Sequence, residues 1–272
     1  MPVQRRRGER HRVPRHRYSS GHARRPQGNH RRELTNVTAS PRDRLRLTVS
    51  KHTAVKYGRS EDENEDSVTV NKAAGRFAIS DGASTAARPE VWSRVLTEAY
   101  ATELLDPFDQ AVLRELRHRW RHEVLKPDLP WFAQAKLAQG SAATFTGLQV
   151  SEFRFSVIAI GDSCLLHLRD GEMLFSAPLS NADEFSRFPV LVRTLDETPP
   201  AQEIWSGGGQ HQAGDVFILA TDAIAKYLIQ NHIYLSLFCR EPIVDAWFGD
   251  FVTEHRGQGL ANDDTTVCVV RT

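Results

Sequence analysis

The order of apolar segments along the chain predicts an α+β sandwich of mainly antiparallel sheets with helices packed outside. Two observations carry this. Short apolar, strand-like runs come in blocks, at 45–81, 142–176, 215–221 and 264–272. Longer stretches with three- and four-residue apolar spacing fall between the blocks, not after every strand.

Taken in order, "LRLTVSKHTAVKYG" (45–58) alternates loosely and reads as a strand or bent strand pair. "SVTVN" and "RFAIS" flank "KAAG" and read as a hairpin. Val91, Trp92, Val95, Leu96, Ala99, Tyr100 and Leu104 mark one face of a helix that Pro107 ends. Val112, Leu113, Leu116, Trp120 and Val124 mark a second, ended by Pro127 and Pro130, and a short third helix fits 131–138. Four runs, 142–151, 153–161, 163–171 and 172–176, look like a meander with tight turns. An irregular segment with Pro189, Pro199 and Pro200 follows, and "SGGGQ" (206–210) reads as a turn, since no Lys-Ser/Thr makes it a phosphate loop. A strand at 215–221, helices at 223–238 and 241–255 and a closing strand at 264–272 complete the body. Trp92, Trp120, Trp131 and Trp247 each fit a helical apolar face and are expected in the core.

The chain has 272 residues, 40% of them hydrophobic, enough for a sizeable core. Its net charge of +1 conceals an asymmetry. Residues 1–46 hold fourteen Arg against Glu9, Glu33 and Asp43, which is +11 and leaves −10 for the rest. Residues 1–45 lack apolar periodicity and are expected to be a disordered, Arg-rich tail, with the folded domain at 46–272. The tail reads as a solvated extension, as translation upstream of the true start, or as an arm for nucleic acid or an anionic surface. The last is the weakest reading, because Tyr18 alone could stack on bases. Neither a signal peptide nor a membrane span is expected. The three cysteines, Cys164, Cys239 and Cys268, are far apart and suit a reducing, cytoplasmic setting. No heptad pattern suggests a coiled coil, so a monomer is expected.

The candidate chemistry lies at strand ends. Asp66 opens "SVTVN", Asp81 follows "RFAIS", Asp162 follows "SVIAIG", Asp222 follows "VFILAT", and Asp263 precedes "TTVCVVRT". Any one of them could be a turn or N-cap residue, and Asp222 is placed to cap the next helix. Several carboxylates gathered at one rim would repel one another, and a hard divalent cation resolves that. Two such ions about 3.5–4 Å apart activate water and clamp a phosphoryl group.

"NEDS" (64–67), "ISDGAS" (79–84), "GSAATFTGL" (140–148), "AIGDSCLLHLRDG" (159–171), "ILATDAIAKYL" (218–228) and "NDDTTVCVV" (262–270) resemble, in order, the motifs of the metal-dependent protein phosphatases, the PPM or type 2C Ser/Thr phosphatases, in a divergent bacterial form. The resemblance spans about 46–272. It implies a four-layer α-β-β-α fold and a cytoplasmic phosphoserine/phosphothreonine phosphatase in which a metal-bridged hydroxide attacks phosphorus directly. It implies two Mn²⁺ or Mg²⁺ ions, with a weaker third near Asp162. Asp66, Asp81, Asp222 and Asp263 would be the catalytic ligands, with Glu65 orienting a metal-bound water and the Gly82 carbonyl as a further ligand. Arg59 would bind phosphate. The implied partners are a phosphoprotein substrate and a Ser/Thr kinase, with no membrane and no nucleic acid beyond the tail.

The sequence departs from the family at several positions. Arg59 lies seven residues ahead of Asp66, farther than the family's clamp arginine, and "GAS" follows Asp81 where many members have "GMGG". Ala223 and Cys164 replace a Gly and an Arg. These departures motivate an alternative reading, a catalytically weak module of the same fold that binds a phosphoprotein or kinase.

Overall fold

Two five-stranded sheets, antiparallel throughout, stack against each other with helices on both outer faces. The computed structural model describes residues 46–195, 199–240 and 243–272; the expected tail at 1–45 lies outside them.

The first sheet has the order β1 (Thr48–Ala54), β12 (Thr265–Arg271), β11 (Val216–Ala220), β7 (Cys164–Arg169), β8 (Glu172–Ala177). The second has the order β10 (Trp205–Gln210), β6 (Arg154–Ile160), β5 (Phe145–Val150), β3 (Arg76–Asp81), β2 (Asp66–Asn71). A short pair, β4 (Ala142–Ala143) and β9 (Val192–Arg193), stands apart.

Alternation along the strands builds the layers, because successive side chains point to opposite faces. Phe77, Ile79, Leu148, Val157, Leu165, Phe217, Leu219, Cys268 and Val270 form one buried cluster between the sheets. Their neighbours Leu166, Leu168, Ile218, Val267 and Val269 face outward, onto α4 (Asp222–Gln230), α5 (Leu235–Cys239) and α6 (Asp245–Arg256). On the other side Ala78 and Phe145 pack under α1 (Pro89–Ala101) and α2 (Gln110–Val124). Pro89 opens α1, where its missing N–H costs nothing. Asp109 caps α2, accepting from the N–H groups of Ala111 and Val112 at 2.9 and 3.0 Å. A short α3 (Trp131–Leu137) follows. The four-layer expectation holds.

The structure corrects several local readings. The meander is divided: β5 pairs with β6 in one sheet and β7 with β8 in the other, so the chain changes sheets at 161–163. Periodicity identifies a strand but not its partner. "SGGGQ" belongs to edge strand β10, in register with β6 from Trp205–Ala159 to Gln210–Arg154. A Cβ at Gly208 would stand 2.2 Å from the Phe155 carbonyl oxygen, so glycine permits the approach. The expected helix at 223–238 breaks at Asn231, an irregular cap between α4 and a short turn leading to α5. The first strand is shorter than expected, covering 48–54. Trp92 and Trp120 are buried and Trp247 packs against the core, but Trp131 is 80% exposed. Among the described residues, no helix is long and apolar enough to cross a membrane.

Candidate metal centre

The carboxylates meet where strand ends of both sheets come together. β2 and β3 form the expected hairpin, and their register sets Asp66 directly opposite Asp81 at its open end. Like charges in facing positions of an antiparallel pair destabilise it. Across from them, β11 ends at Ala220, Thr221 occupies the cap position of α4, and Asp222 is that helix's first residue, so Thr221, not Asp222, is the cap residue. The Thr221 hydroxyl donates to Asp66 Oδ2 at 3.0 Å and accepts from the Thr266 N–H at 3.0 Å, tying the two sheets together at this rim. Asp162 is buried in the connection between β6 and β7. Asp263 lies just before β12.

The electrostatics place these groups in one neighbourhood. Withdrawal from water pushes the Asp66 carboxyl well above its usual range, and Asp264 and Asp222 push it further. The same desolvation raises Asp81 strongly, with Asp66, Asp222, Asp162 and Asp263 all adding to it. Asp222 is raised by desolvation and by Asp263, and Asp162 is pushed up to about 7 by desolvation and then by Asp222. The structure thus brings together Asp66, Asp81, Asp162, Asp222 and Asp263.

Glu65 adjoins them. Desolvation raises its carboxyl, and the Ser84 hydroxyl donates to it. The Glu65 carbonyl accepts from the Gly82 N–H at 3.1 Å, and a Cβ at Gly82 would lie 2.8 Å from that oxygen, so the glycine expected to offer its carbonyl sits where no side chain fits. Arg59 is not brought in. Its guanidinium pairs with Glu63 at 2.6 Å on the surface, although it feels the charges of Glu65 and Asp264.

Two roles escaped the sequence reading, which weighed Asp264 only as a ligand and preferred Asp263. Asp264 is a structural strap, both of its oxygens accepting, from the N–H groups of Lys56 and Glu65 at 2.8 Å each, whereas Asp263 accepts its two hydrogen bonds through Oδ1 alone. Lys56 places its ammonium 2.9 Å from Asp263 Oδ1. The antiparallel register of β1 and β12 sets Ala54 opposite Thr265, and continuing it two residues sets Lys56 opposite Asp263. That register was the missing signal.

The residues suit a hard divalent cation. All the donors are oxygens, with no His or Cys among them. Asp66 Oδ1 is closed off from solvent and has no hydrogen-bond partner, an orphaned acceptor that a cation would satisfy. Among the described residues, no three His, Cys, Asp or Glu side chains are gathered tightly enough to grip an ion as they stand. The carboxylates surround the space and do not close it.

Residues 58–248 match the family model described as protein phosphatase 2C. The catalytic domain of the serine/threonine protein phosphatase PstP, in complex with 2 manganese ions, is 21% identical, with a TM-score of 0.57 over 83% of this chain and 97% of its own. Stp1 from Staphylococcus aureus is 14% identical, with a TM-score of 0.58 over 84% of this chain and 96% of its own. PppA from Pseudomonas aeruginosa, a key regulatory component of T6SS, is 18% identical, with a TM-score of 0.57 over 83% and 97%. No curated protein sequence matches the chain. These likenesses are of fold, and the family model, spanning most of the body, decides the rest: the chain belongs to the protein phosphatase 2C family.

Proposed function

We propose that the protein is a Mn²⁺- or Mg²⁺-dependent phosphatase of phosphoserine and phosphothreonine in proteins, acting in the cytoplasm on the substrates of a Ser/Thr kinase. One observation carries this most: five carboxylates from both sheets converge with one ammonium, that of Lys56, paired among them at Asp263, and the Asp66 Oδ1 is orphaned. Asp66, Asp81, Asp222 and Asp263 would hold two ions, with the Gly82 carbonyl as a further ligand and Asp162 beside a weaker third. When bound, the ions would supply an activated water and neutralise charge developing on phosphorus.

The remaining roles fall to the chain itself. Glu65, fixed by the Ser84 hydroxyl, would orient the attacking water. Arg59 would bind phosphate oxygens in place of Glu63. Their pair is exposed, and such pairs are weak enough to exchange. No thiol offers an alternative nucleophile nearby: Cys164 is fully buried and desolvation pushes its thiol far up. Asp162 also lines a cleft of about 600 Å³ with Phe188, Trp205, Glu184 and Glu203, room for the peptide flanking a phosphoresidue.

The test is phosphate release from a phosphothreonine peptide with Mn²⁺, with and without EDTA. Metal-dependent release that Asp81→Asn abolishes supports the reading; release indifferent to EDTA or to that substitution rejects it. A second reading, a weak phosphatase-fold module that binds a phosphoprotein or kinase, is favoured by Arg59 facing Glu63. Metal binding without hydrolysis of any phosphopeptide would select it.

A further inference from the structure

We propose that Lys56 is a built-in competitor for the ion that Asp263 would hold, so that the two metal sites differ in affinity by design of this chain. The inference rests on the metal reading above.

The ammonium is held in place by the backbone around it. The Lys56 N–H donates to Asp264 Oδ1 and the Tyr57 N–H to Asn262 Oδ1, each at 2.8 Å. Arg256 Nη2 donates to the Val55 carbonyl at 3.0 Å and to the Asp263 carbonyl at 2.8 Å. Residues 55–57 and 262–264 are therefore stitched together on both sides of the Lys56–Asp263 pair. The Lys56 side chain can swing, but its Cα stays opposite Asp263.

A divalent ion that takes Asp263 as a ligand either displaces the ammonium from Oδ1, which also accepts from the Asp264 N–H at 3.0 Å, or enters at Oδ2 beside it. It must then bind with a positive charge tethered alongside. The pair is only partly sheltered, with side-chain exposures of 33% and 45%, so displacement is feasible. The residual repulsion is the lasting effect. Among the described residues no ammonium or guanidinium is paired with Asp66 or Asp81, whose nearest share of the Lys56 charge falls on Glu65; the Asp66 carboxyl meets the hydroxyls of Thr221 and Thr266. The ion that Asp66 and Asp81 would hold would bind first, and the ion that Asp222 and Asp263 would help to hold would bind second and more weakly.

The experiment titrates the full-length protein with Mn²⁺ alone, by calorimetry and by electron paramagnetic resonance of the free ion. The wild type is expected to bind in two unequal steps. Lys56→Met should tighten the weaker step about tenfold and leave the stronger one in place. Lys56→Gln should do the same, and so keeps the test readable if the Met variant folds poorly by circular dichroism. Lys56→Arg should keep the wild-type inequality. Unchanged steps in both neutral Lys56 variants would overturn the inference and leave the metal reading standing. Absence of Mn²⁺ binding in the wild type and all variants would remove both.

Discussion

Asp215 and Asp222 flank the same strand, β11, yet live in opposite surroundings. Asp215 is 1% exposed and fully partnered. Arg169 grips both its oxygens, Nε to Oδ1 at 2.7 Å and Nη2 to Oδ2 at 2.8 Å, His167 Nε2 lies 2.8 Å from Oδ2, and the Gln212 N–H donates at 3.0 Å. Burial opposes its ionisation, but Arg169, Gln212 and His167 outweigh that and hold the carboxyl well below the usual range. At the far end of the strand, Asp222 faces Asp263, and its carboxyl is pushed up. One rim of the sandwich satisfies its charge from within; the other leaves charge for something to be added. The contrast separates a structural aspartate from a candidate metal ligand where burial alone would not.

The sharpest break of this comparison is at the unsatisfied rim. Asp81→Asn and Asp222→Asn should each lower Mn²⁺-dependent phosphate release by at least about a hundredfold while circular dichroism stays native. Retained activity would put the chemistry elsewhere.

Next in size is the satisfied rim. Asp215→Ala leaves Arg169 and His167 without their partner and should lower unfolding stability by about 3 kcal/mol in urea titrations. Because the folded carboxyl titrates below its unfolded value, this stability is fully present above about pH 4 and is lost as pH falls through the folded value. The gap between variant and wild type should therefore narrow in acid; a constant gap would mean that packing, not charge, carries the effect.

A third substitution should give the opposite sign. Asp162→Asn, measured in EDTA at neutral pH, removes a charge that desolvation and Asp222 both disfavour, and should raise the melting temperature. A fall would show that Asp162 is a structural residue like Asp215. Arg59→Ala should raise KM for a phosphopeptide about tenfold with a smaller change in kcat. Deletion of residues 1–45 should leave phosphate release unchanged, since no residue assigned to the site lies there.

Much of this arrangement could be read from residue patterns. Continuous apolar runs through 77–79 and 216–220 marked the strands, and Asp66, Asp81, Asp162, Asp222 and Asp263 stood out at their ends, because a strand's end is where its polar neighbour must leave the core. What escaped depended on pairing. Lys56 becomes a neighbour of Asp263 only through the β1–β12 register, and Asp264 becomes a strap only because two N–H groups from distant residues reach it. The change of sheet at 161–163, the glycine-built edge at 206–209 and the exposure of Trp131 are likewise set by what lies alongside, which no local period encodes.

In the first sheet, β12 lies between β1 and β11, although it is the last of the strands along the chain. During synthesis, β1 emerges early and must wait for its only partner in the sheet. Until β12 leaves the ribosome, β1 has no strand to pair with and β11 keeps one edge open, a state prone to mispairing. Asp263 and Asp264 arrive immediately before β12, so the metal centre and the sheet are completed within the same few residues of elongation. A nascent chain therefore cannot complete the proposed metal site before it has completed the sheet.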